Sequence, residues 1–164
     1  MQLNSEPNKG STFTFTVSAP KTDFVKQDDV VASNSLTDFS NKRILLVEDN
    51  FINRQVVAKM LEPSEATLTM AEDGLEALDL LKKESFDLIL MDCQMPNMDG
   101  YECTIAIREY EKNTPLHVPI VAITANAYED DKQRCLDIGM DDFVSKPVNS
   151  HELYTVIAKA FNKR

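Results

Sequence analysis

The sequence has few of the residues that mark several common protein classes. Its 164 residues include three cysteines, whose odd number and lack of C-x-x-C spacing argue against a disulfide framework or a zinc site. No apolar run approaches the roughly 18 residues of a membrane-spanning helix. The opening residues, MQLNSEPNKG, lack the apolar core of a signal peptide. We therefore expect a soluble protein of a reducing, cytoplasmic compartment, with no membrane contact by this segment.

Glycine and basic residues are also scarce. The four glycines, at positions 10, 74, 100 and 139, are too scattered for a phosphate-binding loop of the P-loop or Rossmann type. With 17 basic and 27 acidic residues, the chain has a formal net charge of −10. Such a field repels nucleic acid and anionic membranes, so nucleic acid is not an expected partner.

From Lys42 onward, short apolar runs alternate with amphipathic segments of helical period. This pattern is typical of repeated β-α units and a parallel sheet. The sequence therefore predicts an α/β fold. The predicted strands are Arg43–Glu48, Ala66–Ala71, Phe86–Met91, Pro119–Thr124 and Asp142–Ser145, and the predicted helices are Phe51–Leu61, Gly74–Lys83, Gly100–Lys112, Tyr128–Ile138 and Ser150–Asn162.

The residues before Lys42 have a different pattern. Gly10–Val17 (GSTFTFTV) alternates polar and apolar side chains like one half-buried strand, and one strand cannot fold alone. Pro20–Asn41 is polar, with few apolar residues, as is typical of a linker. We predict a strand remnant at 1–19, a linker at 20–41 and the α/β domain at 42–164.

Polar residues follow the predicted strands at the sheet edge where ligands of parallel sheets bind. Glu48 and Asp49 end the first strand, Asp92 the third, Thr124 the fourth and Lys146 the fifth. Clustered carboxylates raise one another's pKa unless a divalent cation lies among them, and Mg²⁺ prefers oxygen ligands and often shares them with phosphate. The residues predict a magnesium site at which Asp92 attacks a phosphoryl group. Lys146 would neutralise that group, and Thr124 would hydrogen-bond to it.

Four motifs resemble, in the same order, those of the receiver domain of two-component response regulators: ILLVEDN (44–50), MDCQMPNMDG (91–100), PIVAITANA (119–127) and GMDDFVSKPV (139–148). The resemblance covers Lys42 to Asn162. It implies a flavodoxin-like fold, a five-stranded parallel sheet of order 2-1-3-4-5 with helices on both faces.

The resemblance also implies a phosphorelay function. Asp92 would accept a phosphoryl group from a phosphohistidine of a histidine kinase or histidine phosphotransfer domain, then pass it on or hydrolyse it. Mg²⁺ would be bound by Glu48, Asp49, Asp92 and the backbone carbonyl of Gln94. The chain would be an enzyme only in catalysing its own aspartyl phosphorylation and dephosphorylation.

Three further residues receive roles through the resemblance. Thr124 and Phe143 would form the switch that responds to phosphorylation, with Phe143 moving inward or, alternatively, staying permanently in the core. The Lys146–Pro147 peptide bond would be cis. Separately, Ser150 is expected to cap the last helix.

The segment NKGSTFTFTVSAP (8–20) resembles the closing strand of a histidine kinase ATP-binding domain. It implies that the chain is the C-terminal end of a hybrid sensor histidine kinase and lacks the kinase core. The parent protein could be membrane-anchored. An unrelated strand remains the alternative.

Two other functions remain open. One is a phosphatase with an aspartyl nucleophile, but that class needs a second aspartate two residues after the first, where this chain has Gln94. The other is a protein-interaction module of the same fold that is never phosphorylated. That alternative is disfavoured because the acids, the hydroxyl and the lysine are all present.

Overall fold

The computed structural model describes residues 2–6, 9–16, 38–112, 114, 116–125 and 129–162. The chain divides into two compact units, at Met1–Val31 and Ala32–Arg164. Most of the predicted linker and the predicted helix start at Tyr128 lie outside the described residues.

The first unit contains an antiparallel hairpin of β1 (Gln2–Glu6) and β2 (Gly10–Thr14). The single half-buried strand predicted at Gly10–Val17 is wrong in two respects. Strand β2 has a partner, β1, that the sequence pattern did not indicate, because the polar run QLNSE lacks clear alternation. All residues of β2 are also exposed, and none of them belongs to a core formed by the residues that the structure describes.

The second unit contains one five-stranded parallel sheet and its flanking helices. Its strands are β3 (Arg43–Val47), β4 (Thr67–Ala71), β5 (Leu88–Asp92), β6 (Ile120–Thr124) and β7 (Asp142–Ser145), and its helices are α1 (Phe51–Leu61), α2 (Gly74–Leu81), α3 (Gly100–Glu111), α4 (Glu129–Ile138) and α5 (Ser150–Asn162), with a single 3₁₀ turn at Glu62–Ser64 after α1. The predicted elements of this unit are all present, and their ends in the described residues differ from the predicted ones by at most two residues.

The strand order β4-β3-β5-β6-β7 is 2-1-3-4-5 when counted within the sheet, as predicted. Alternate side chains of the buried strands enter two separate cores, as expected for a sheet covered on both faces. Helices α1 and α5 cover one face through Val57, Leu61, Leu153 and Ile157. Helices α2, α3 and α4 cover the other.

Two details differ from the sequence predictions. Helix α5 is capped by Asn149, not Ser150, because the Asn149 Oδ1 accepts hydrogen bonds from the backbone amides of His151 and Glu152, at 2.9 and 3.3 Å. Phe39, which lies within the predicted linker, is buried and its ring stacks on Tyr154. Across the described residues, no helix combines the length and apolar character needed to cross a membrane.

The start of α3 packs closely against the end of β5. A Cβ atom added to Gly100 would lie 2.1 Å from the backbone oxygen of Asp92 and 2.9 Å from Cγ of Met91. Glycine is the only residue that permits this approach. A capping box of Asp99 and Glu102 fixes the helix start at that point. The position of the Asp92 backbone therefore depends on a glycine eight residues later.

We expect Gly100→Ala to lower the free energy of unfolding by about 2 kcal/mol or more. Overpacking against a backbone atom costs roughly 1–3 kcal/mol, which exceeds the helix-propensity gain of under about 1 kcal/mol. Urea denaturation measures the change. The control is Ile105→Ala on the exposed face of α3, which should alter stability by no more than about 0.5 kcal/mol. Equal stability of Gly100→Ala and the parent would contradict the close packing.

Candidate functional site

The sheet register brings the predicted site residues to one edge. Val47 of β3 pairs with Met91 of β5, so Glu48 and Asp92 follow at the same level on adjacent strands. Thr124 ends β6 opposite Ser145, the residue before Lys146. The five polar residues predicted from strand ends therefore lie at one edge of the sheet, because parallel strands end at the same edge.

Lys146 joins two of the acids. Its Nζ lies 2.8 Å from Oδ2 of Asp92 and 2.8 Å from Oε2 of Glu48. Glu48 is only 1% exposed and Asp92 3%, whereas Asp49 is exposed. One ammonium thus compensates two buried carboxylates, which leaves the cluster with excess negative charge.

The pKa values reflect this imbalance. Burial raises the pKa of Asp92 to about 6; the hydrogen bond from Lys146 opposes this, and repulsion from Glu48 adds to it. Burial lowers the pKa of Lys146, but its hydrogen bonds to Asp92 and Glu48 outweigh that effect and raise the pKa overall. Lys146 therefore stays charged, while Asp92 titrates closer to neutrality than an ordinary aspartate.

The acids also satisfy the requirements of a cation site. Glu48, Asp49 and Asp92 each offer an oxygen atom, and these atoms lie within 4.8 Å of one another. All three ligands are hard oxygen donors, and the exposure of Asp49 leaves room for bound waters, as Mg²⁺ prefers. The donor set and its surplus charge fit Mg²⁺ better than zinc, which favours nitrogen and sulfur ligands.

Two residues of α1 support the acids and were missed in the sequence. Arg54 is 6% exposed and donates hydrogen bonds from Nη1 to the backbone oxygens of Glu48, at 2.6 Å, and Asp49, at 2.9 Å. Asn53 donates from Nδ2 to Oε1 of Glu48 at 2.9 Å. A signal for Arg54 was present: it shares the apolar face of α1 with Val57 three residues later, so its burial could have been predicted.

The remaining predicted residues lie around the acids. Thr124 is buried at the end of β6. Gln94 donates its backbone N–H to Oδ1 of Asp92 at 3.2 Å. The Lys146–Pro147 peptide bond is cis. Phe143 is half-buried on the face covered by α2, α3 and α4, with Nζ of Lys132 of α4 4.8 Å from its ring centre.

An open cleft of about 480 Å³ lies beside the acids, and its lining includes Asp49, Cys93, Gln94, Met95, Tyr101 and Arg134. The Arg134 guanidinium stacks over the Tyr101 ring at 4.2 Å. Cys93 is buried, with its Sγ 3.9 Å from that of Cys135, and this contact together with burial raises the pKa of Cys93. Cys93 is therefore a neutral, poorly reactive thiol.

Comparisons with solved structures agree with this geometry. The chain superimposes with a TM-score of 0.67 and 39% identity on the receiver domain of the sensor histidine kinase PA1611 from Pseudomonas aeruginosa, crystallised with a magnesium ion in its active-site cleft; the match covers 74% of this chain and 98% of that one. It also matches, with a TM-score of 0.70 and 33% identity, a co-crystal structure from Saccharomyces cerevisiae of the histidine phosphotransfer signalling protein Ypd1 and the receiver domain of its downstream response regulator Ssk1. That match covers 74% of this chain and 89% of the other.

Sequence comparisons point to the same family. Hybrid signal transduction histidine kinase B of Dictyostelium discoideum is 46% identical over 127 residues, which span 72% of this chain but 6% of that protein. The chain thus spans a small part of the curated relatives it matches. Residues 44–158 match the family described as the response regulator receiver domain. Together with the strand order and the acidic edge, this match shows that the chain belongs to the response regulator receiver domain family.

Proposed function

We propose that this chain is the phosphoacceptor module of a two-component phosphorelay, with Asp92 as the phosphorylated residue. The observation that carries the proposal is the arrangement around Asp92. Its buried carboxylate lies 2.8 Å from the Lys146 ammonium and within 4.8 Å of the oxygens of Glu48 and Asp49. No other group of acids among the described residues forms such a cluster.

In the proposed reaction, an Oδ atom of Asp92 attacks the phosphorus of a phosphohistidine. A P–O bond forms as the P–N bond breaks, and the histidine leaves with the electron pair and takes up a proton. In this proposal Lys146 neutralises the phosphoryl oxygens, which its 2.8 Å contact with Asp92 supports, and the buried Thr124 hydrogen-bonds to one of them. Attack of water on the phosphorus of the acyl phosphate would later regenerate the carboxylate and release inorganic phosphate.

We propose that Glu48, Asp49, Asp92 and the backbone carbonyl of Gln94 hold Mg²⁺. When bound, the ion supplies positive charge that screens the acids and orients the phosphoryl group for in-line transfer. The excess negative charge of the acid cluster supports this assignment, as does the magnesium ion in the structurally similar receiver domain of PA1611.

The proposed partners are a histidine kinase and a histidine phosphotransfer domain, in a cytoplasmic setting and without nucleic acid or membrane contact by this segment. The similarity to a receiver domain crystallised with the phosphotransfer protein Ypd1 supports the second partner. The net charge of −10 supports the absence of nucleic acid. Within this scheme the chain catalyses only its own phosphorylation and dephosphorylation.

We further propose that residues 1–19 belong to the end of a kinase ATP-binding domain and that residues 20–41 link it to the receiver domain. The exposed phenylalanines Phe13 and Phe15 of the hairpin segment support this proposal, because they are 60% and 72% exposed and would need burial against other residues. The parent protein would then be a hybrid histidine kinase, as its sequence relatives are.

The two alternatives have less support. An aspartyl phosphatase needs a second acid two residues after the nucleophile, where this chain has Gln94, whose side chain is an amide and not an acid. An interaction module that is never phosphorylated does not need two buried carboxylates that share one ion-pair partner, Lys146. Burying these carboxylates costs free energy that such a module would have no reason to spend.

The first prediction tests the phosphoacceptor. Acetyl phosphate with Mg²⁺ should phosphorylate the parent chain, and Asp92→Asn should show no phosphorylated species by intact mass, because the nucleophilic carboxylate is gone. Asp99→Asn is the matched control: it removes a nearby carboxylate, and asparagine preserves the helix cap that Asp99 provides. Stoichiometric labelling of Asp92→Asn would show that the assignment is wrong.

The second prediction concerns charge and pH in the metal-free protein. The folded-state pKa of Asp92, about 6, lies above its ordinary value of 3.8. Between these pH values the folded state therefore binds a proton at the Asp92 carboxylate more tightly than the unfolded state does. The contribution of Asp92 to the free energy of unfolding is therefore stabilising and complete below pH 3.8, and it is lost as the pH rises through about 6.

Asp92→Asn should thus stabilise the metal-free protein near neutral pH by about 1–2 kcal/mol, since one pKa unit corresponds to about 1.4 kcal/mol and solvent screens part of the repulsion. Urea denaturation across a pH series measures this difference. Mg²⁺ should stabilise the parent more than the variant. Parallel pH profiles for the two proteins would be inconsistent with a raised pKa at Asp92.

The third prediction tests the proposed switch. Beryllofluoride, a phosphoryl mimic, is expected with Mg²⁺ to shift the amide signals of α4 and of residues near Phe143, because Thr124 would be drawn toward the mimic and Phe143 inward. Thr124→Ala should remain phosphorylatable but give smaller shifts. Thr104→Ala is the control, because Thr104 is equally buried but donates its hydroxyl to Gly100 within α3. Shifts of parental size in Thr124→Ala would rule out the coupling.

A further inference from the structure

The carboxylate of Glu48 is held at both oxygens. Its Oε2 accepts a hydrogen bond from Nζ of Lys146 at 2.8 Å. Its Oε1 accepts one from Nδ2 of Asn53 at 2.9 Å and one from the backbone N–H of Asn50 at 3.3 Å. Of these donors, Lys146 also serves Asp92, so Asn53 is the one side chain described here that is directed at Glu48 alone.

Asn53 is itself held in place by the first turn of α1. The N-cap Asn50 accepts hydrogen bonds at its Oδ1 from the backbone amides of Ile52, at 2.9 Å, and Asn53, at 3.2 Å. The Asn53 backbone is therefore fixed at the helix start, and its amide extends back to the residue that follows β3. The Asn53 side chain and the backbone N–H of Asn50 thus both connect the start of α1 to the Glu48 carboxylate.

The length of the glutamate makes this contact important. Glutamate has one more rotatable bond than aspartate, so its carboxylate can turn away from the neighbouring acids unless something restrains it. Lys146 cannot be the sole restraint, because a phosphoryl group on Asp92 would compete for the same ammonium. Asn53 does not contact Asp92 in the described hydrogen bonds, so its restraint on Glu48 would persist in both states.

We propose that Asn53 is a positioning residue that acts through Glu48 to set the affinity of the acid cluster for Mg²⁺. This inference rests on the proposed binding of Mg²⁺ by Glu48, Asp49 and Asp92. Asn53 orients a ligand in the way that outer-shell hydrogen-bond partners orient metal ligands in other proteins. It takes no part in the attack of Asp92 on the phosphorus.

The test is a titration of the full chain with Mg²⁺, followed by amide signals in nuclear magnetic resonance spectra. We expect Asn53→Ala to weaken Mg²⁺ binding roughly tenfold, at the lower end of the effects of outer-shell substitutions. The rate of phosphorylation by acetyl phosphate at saturating Mg²⁺ should stay close to that of the parent. Asn53→Gln keeps the amide donor on a longer side chain and should recover part of the affinity.

The matched control is Gln133→Ala on α4. Gln133 also donates an amide hydrogen bond to a carboxylate, Oδ1 of Asp137 at 2.7 Å, but away from the acid cluster. This variant should bind Mg²⁺ like the parent. In a Glu48→Ala background, Asn53→Ala should cause no further loss of affinity, because the residue through which Asn53 acts is absent.

The outcomes separate this inference from the proposed function. If the parent shows no Mg²⁺-dependent shifts around Glu48 and Asp92, the proposed cofactor is wrong and the inference is overturned with it. If the parent binds Mg²⁺ and Asn53→Ala binds equally well, only the role of Asn53 is overturned. A tenfold loss that persists undiminished in the Glu48→Ala background would likewise overturn it, because Asn53 would not then act through Glu48.

Discussion

The contact of one ammonium with two buried carboxylates is the constraint on which the site depends. Lys146 bonds to both Glu48 and Asp92 at 2.8 Å. Burying two carboxylates is expensive, and removing the ammonium that bonds to them would leave uncompensated charge. The cluster as a whole stays short of positive charge, which is a disadvantage for stability and the condition for binding a cation. The same imbalance raises the pKa of Asp92.

The scaffold around this cluster has to keep the acids together against their repulsion. It does so from two directions. Arg54 fixes the backbone of Glu48 and Asp49 from the start of α1, and its own charge is compensated by Glu72 at 2.6 Å. On the other side, Gly100 allows α3 to approach the backbone of Asp92. The starts of two helices, α1 and α3, therefore help to fix the positions of the residues at the strand ends.

The fold and the acids could be predicted from the sequence for the same physical reason. Continuous apolar runs of β-branched and aliphatic residues form buried parallel strands, and the polar residues that follow such strands must lie at one edge. The residues that support the site were harder to predict. The position of Arg54 on the apolar face of α1 indicates its burial, but nothing local shows that it bonds to the backbone of Glu48 and Asp49 or that Asn53 is directed at Glu48. The strand β1 was missed because its sequence has no apolar alternation.

By itself, the sequence determined the number and order of β-α units, the family motifs and the residue types at the strand ends, because these depend on local periodicity and composition. Only the tertiary structure decided which donor pairs with which acid. It showed that Lys146, 98 residues from Glu48 in the chain, lies between that residue and Asp92. It also showed that Asn149 rather than Ser150 caps α5. Such pairings depend on side-chain distances across the fold, and local periodicity carries no information about them.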